Sequence, residues 1–209
     1  MDQSRDKAKK GPTAMMWFRK AKPLNLEQQL GLIAECGIKL RPDLSKDDLL
    51  ATASAEQFEK EPFLLLLTML GGEQQQEPFS DYSDNIWHFK KRCIKDTGSY
   101  CKVAARLARL TGGTMPITDA IDYVSHSEQK AWLSFVLDGM QYRWDLSVNG
   151  DFIDPRMLSR FADLLKLVGA GKRFFYLELK GQDYLIASGR PDQLGLLREK
   201  SELDFQWLV

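Results

Sequence analysis

The sequence predicts an α+β fold, with an N-terminal helical part followed by a mainly antiparallel sheet with packed helices. Three observations carry this expectation. Between residues 24 and 72 apolar side chains recur at helical spacing behind capping residues. From Ile117 onward they alternate with polar ones, and each of two hairpin signals leads into a helix that opens with proline. Residues 1–14 carry Arg5, Lys7, Lys9 and Lys10 and almost nothing apolar, so they read as a disordered tail. The remainder, 15–209, reads as one domain, with a helical lobe at about 24–72 and a sheet-rich part at about 82–209.

Taken in order, Asn25 followed by Gln28 forms a capping-box start, and Leu26, Leu30 and Ile33 share one face until Gly37 stops the helix. Ser45 with Asp48, then Ser54 ahead of Phe58, open two short helices. Pro62 suits the first turn of an apolar helix ending at Gly71-Gly72, where glycine can take the left-handed conformation. A polar loop, Glu73 to Ser80, separates these from a short strand, Ile86 to Phe89. Ser99 then caps a helix whose Val103, Leu107 and Leu110 line one side up to Gly112-Gly113.

Strands follow at Ile117 to Val124, Ala131 to Leu137 and Met140 to Val148. Asp138-Gly139 between the last two suits a type I′ turn, whose central residues need positive φ. In the third strand Met140, Tyr142, Trp144, Leu146 and Val148 alternate with polar residues, so one face is buried. Asp154-Pro155 starts the next helix, with Leu158, Phe161, Leu164 and Leu165 on one side until Gly169. Arg173 to Leu179 and Asp183 to Ser188 flank Lys180-Gly181 as a second hairpin. Pro191 begins a helix to about Lys200, and a last run covers Asp204 to Leu208. Both hairpins lead into a helix, and shared turn chemistry accounts for this more readily than internal duplication does.

Composition narrows the function. Twenty-nine positive and 29 negative side chains give no global field toward nucleic acid or an acidic membrane. The three cysteines, Cys36, Cys93 and Cys101, do not suggest a disulfide framework, which points to a reducing, cytoplasmic compartment. The opening residues are polar where a signal peptide would be apolar, and the most apolar stretch, within Pro62 to Leu70, is far short of the roughly 20 residues of a membrane helix.

Site chemistry is sparse. His88, Cys93 and Cys101 are separated by five and eight residues, matching no zinc spacing, so no metal is expected. No glycine-rich turn enters a helix as a phosphate cradle would, and no cofactor is expected. Cys93 or Cys101 with His126 has no nucleophile elbow to support a thiol mechanism. Asp81 with Asp84, and Asp119 with Asp122, could pair for acid and base work, but surface charge is the simpler account of both. The clearest bias lies between Lys90 and Arg109, where Lys91, Arg92, Lys95, Lys102, Arg106 and Arg109 form the candidate partner-binding set. Lys102, Arg106 and Arg109 share a helix face. A solvated face is the simpler account of that stripe. Tyr100 alone among aromatics is interleaved with it, which disfavours nucleic acid.

Trp17-Phe18-Arg19-Lys20, Pro23 to Leu30, Lys172 to Leu177 and Gly181-Gln182-Asp183 resemble segments of bacterial proteins of the toxin-immunity or accessory type. The resemblance implies a small cytoplasmic protein that acts on a protein partner, a cognate toxin in the immunity case, and assigns no functional residue. The expectation is therefore a non-enzymatic protein-binding protein without a membrane or cofactor. The alternatives are an enzyme whose site is assembled from residues distant in sequence, or a nucleic-acid binder using the 90–109 segment.

Overall fold

A computed structural model describes residues 24–72, 81–181 and 183–209. The expected tail at 1–14, the resemblance at 17–20 and the loop at 73–80 lie outside the described residues. The architecture is α+β, and every strand pair is antiparallel.

Helix α1 (Leu26–Glu35) opens with the expected capping box: Gln28 N donates to Asn25 Oδ1 at 2.9 Å and Asn25 N to Gln28 Oε1 at 3.1 Å. Ser45 and Ser54 open α2 (Lys46–Leu50) and α3 (Ala55–Lys60) in the same way. α4 (Leu64–Gly71) departs from expectation at both ends. Pro62 precedes the helix instead of entering its first turn, and Phe63 is the N-cap with φ of 65°. At the other end Gly72 has an ordinary φ of −85°. Gly71 is needed for space: a Cβ there would lie 2.5 Å from His88 N and 2.9 Å from Trp87 C, so its hydrogen lets α4 abut a strand backbone.

That strand is β1 (Ile86–Lys90), and α5 (Ser99–Leu110) follows. Ser99 is the first helical residue, not the cap. The cap position is Gly98, with φ of 97°, and the capping acceptor comes from a distant strand: Asp122 receives Gly98 N and, at 2.9 Å, Cys101 N. Strands β2 (Ile117–Ser125), β3 (Lys130–Leu137) and β4 (Met140–Leu146) form one sheet in that order. The β3–β4 turn has the two positive φ angles expected of it, 50° at Asp138 and 75° at Gly139. Helix α6 (Pro155–Val168), strands β5 (Arg173–Glu178) and β6 (Asp183–Gly189), helix α7 (Pro191–Ser201) and the two-residue β7 (Gln206–Trp207) complete the chain.

The β-rich region makes two sheets. The second has the order β1-β6-β5-β7 and is covered on both faces. Phe175, Leu177, Leu185 and Ala187 point into a core shared with α1, α3, α4 and α7. Phe174, Ile186 and Phe89, on alternate positions, point into a core shared with α5, α6 and the three-stranded sheet. Among the described residues no helix is long and apolar enough to cross a membrane.

Candidate functional site: a cleft beside helix α6

On the α6 side of the four-stranded sheet a cleft of about 440 Å³ opens to the surface. Strand alternation places Tyr176 of β5 and Tyr184 and Ile186 of β6 on its floor, because their neighbours Leu177 and Leu185 face the opposite core. Pro155, Leu158 and Ser159 of α6 form one wall, and Phe152 and Ile153 of the preceding loop form another. The Tyr176 and Tyr184 rings meet edge to face with centroids 5.2 Å apart. Lys91 reaches over the Tyr184 ring, its Nζ 4.3 Å from the centroid, so an ammonium stands beside an apolar hollow.

Asp154 fixes the wall. Its buried carboxylate accepts from Ser147 N at 2.7 Å and Arg156 N at 2.9 Å, and it also binds the Arg156 guanidinium. Burial alone would raise this carboxyl, but the Arg156 side chain and the two backbone donors override it and hold it at about 2. The start of α6, and with it Pro155 and Leu158, is thereby set.

The structure disperses the basic segment. Lys91 lines the cleft. Arg92 stacks over Phe152, another cleft residue, at 5.1 Å while its Nε donates to Asp151 at 3.0 Å. Lys95 and Lys102 are exposed, with the backbone N–H of Lys95 donating to Ser99 Oγ. Arg106 is buried, 5% exposed. It pairs with Asp81 at 3.0 Å and donates to the carbonyls of Ser83 and Ile86, both at 2.9 Å. Arg109, half-exposed, binds the same Asp81 and lies 3.6 Å from Asp84. The shared helix face of Lys102, Arg106 and Arg109 thus divides into a solvated lysine and two arginines that fasten the 81–86 segment to α5. Lys91 alone of the six lines the cleft, with Arg92 beside it on Phe152.

The other chemical candidates have structural roles or lie elsewhere. Asp122 caps α5, and Asp81 and Asp84 hold arginines. Burial pushes the thiols up, to about 11 for Cys36 and Cys101 and about 12 for Cys93, so none is a ready thiolate at neutral pH. His88 Nε2 lies 3.2 Å from Asp183 Oδ2, a carboxylate partner, but neither residue lines the cleft: both alternate with cleft-side positions and face the other side of the sheet. His126 is exposed, with Nε2 3.0 Å from the Lys95 carbonyl. Among the described residues no three His, Cys, Asp or Glu side chains gather as metal ligands would.

Sequence reading placed Leu158 on the apolar side of α6 but did not single out Phe152, Tyr176 or Tyr184 as site residues. Tyr184 follows a hairpin turn in a strand of mostly apolar residues, where an aromatic with a polar tip is the available signal. Comparison of the chain with protein-family models, curated proteins and solved structures finds no match.

Proposed function

We propose that this is a non-enzymatic, cytoplasmic protein-binding protein that acts by covering a partner, and that the cleft beside α6 seats an apolar side chain of that partner. The cleft itself carries the proposal. Its volume suits one or two large side chains, its floor carries an aromatic pair, and Lys91, 4.0 Å from Glu178, and Arg92, paired with Asp151, stand at one side. Tyrosines held in a sheet lose little entropy on contact, and tyrosine and arginine are enriched among residues that dominate binding energy. The resemblance to immunity-type proteins makes a toxin the partner to test first.

Two variants test this together. Leu158→Glu places a charge in the apolar wall, and Tyr184→Ala removes one ring of the aromatic floor and the seat of Lys91. Each weakens partner binding by about 30-fold or more, as expected when a buried anchor site is lost, while Lys102→Ala leaves it unchanged. In the toxin case, wild type restores growth to cells expressing the protein encoded beside it and the two cleft variants do not. Equal rescue by wild type and both variants, or recovery of the same proteins from source cells by all three, would overturn the proposal.

A further inference from the structure

Among the described residues the two sheets have four edges, and three are short, covered or broken. β7 is an edge of two residues only, α4 abuts the β1 backbone at Gly71, and β2 is broken by a bulge between Thr118 and Ile121, where Asp119 has φ of 51°. Bulges and covered edges are the usual protection against strand addition. β4 has neither. Its register with β3 is continuous from Met140 to Leu146, and Gln141, Arg143 and Asp145 are exposed.

The two-residue turn makes Leu137 and Met140 a hydrogen-bonded pair, so the ladder to β3 uses Met140, Tyr142, Trp144 and Leu146. The N–H and C=O groups of Gln141, Arg143 and Asp145 therefore point away from β3. We propose that β4 pairs antiparallel with β4 of a second copy of this chain, about a two-fold axis at Trp144, joining the two three-stranded sheets into one.

The register follows from charge. Antiparallel pairing through the outward groups can centre on Arg143, which sets two arginines opposite each other, or on Trp144, which sets Arg143 opposite Asp145 of the other copy at both ends of the contact. Opposite charges at directly facing positions stabilise a strand pair and like charges oppose it. The Trp144 register also allows both ladder bonds at each Arg143 and Asp145 pair, and it brings the two half-buried Trp144 rings together on the inner face, each already held edge to face against Phe135 and Phe161 at 4.9 Å. The Arg143 guanidinium rests on the β3 side, 4.1 Å from the Trp132 ring centroid, and turns outward to meet Asp145 of the second copy. An interface of this kind is isologous, as a closed dimer requires.

Sedimentation equilibrium across the micromolar range tests it. Wild type, at 23.9 kDa per chain, gives twice that mass at the upper concentrations. Arg143→Asp and Asp145→Arg each place like charges opposite one another twice and weaken the dimer by about 10-fold or more. The double variant Arg143→Asp/Asp145→Arg restores opposite charges and with them the dimer, which a fold defect would not permit. Circular dichroism confirms that each variant is folded. A wild type that stays monomeric, a dimer that survives both single reversals, or a double variant no tighter than the singles overturns the proposal.

Discussion

Arg106 and Lys102 are four residues apart on α5 and carry the same charge, yet they belong to different parts of the molecule. Arg106 binds Asp81 and two backbone carbonyls in a buried setting, so Arg106→Ala leaves two buried acceptors without their donor and Asp81 with Arg109 as its remaining arginine. The expected loss is about 2–4 kcal/mol in urea denaturation, whereas Lys102→Ala stays within about 0.5 kcal/mol. Arg106→Lys does not rescue, since one ammonium cannot reproduce a planar fork directed at three partners. Asp154 gives the pH counterpart. Its folded carboxyl, held at about 2, lies below the ordinary 3.8, so its contribution is fully present above about pH 4 and is lost as the pH falls toward 2. Because Arg156 is half-exposed, that contribution is about 1–2 kcal/mol after solvent screening. Denaturant midpoints of wild type and Asp154→Asn should differ at pH 7 and converge near pH 2.

Among the elements, the helix starts at Asn25, Ser45, Ser54 and Asp154 were legible because their caps lie within three residues of the turns they serve. The start of α5 was not. Its cap is Asp122, 21 residues beyond Cys101 and on another strand, and sequence reading assigned the role to the nearer Ser99. Asp122→Ala removes acceptors from two backbone N–H groups and should cost about 1–2 kcal/mol, while Ser99→Ala should cost less. Gly71 makes the same point for packing. Glycine after an apolar run reads as a helix stop, but the tertiary approach of β1 is what requires it here. Gly71→Ala gains about 1 kcal/mol of helix propensity and meets strain of up to about 3 kcal/mol against an immovable backbone, a net loss near 2 kcal/mol in thermal or urea unfolding. A gain in stability would show that β1 can yield.

Across the whole molecule, strand alternation and turn chemistry reveal the α+β class but not the division of the strands between two sheets. β1 and β6 are nearly a hundred residues apart, and no local signal says that they pair. The cleft inherits that difficulty, since its lining runs from Lys91 to Val209 and converges only after the four-stranded sheet and α6 have packed. The basic segment was visible in the chain, but burial, ion pairing and exposure sort its six members, leaving two beside the cleft. The most direct test places a photo-crosslinking residue at Ser159, on the cleft wall, and for comparison at Lys102, on the solvated face of α5, in cells that make the partner. The account predicts a discrete protein adduct from position 159 that Tyr184→Ala abolishes and that position 102 does not give. Adducts of equal yield from both positions, or none at 159 while 102 captures a partner, would contradict it.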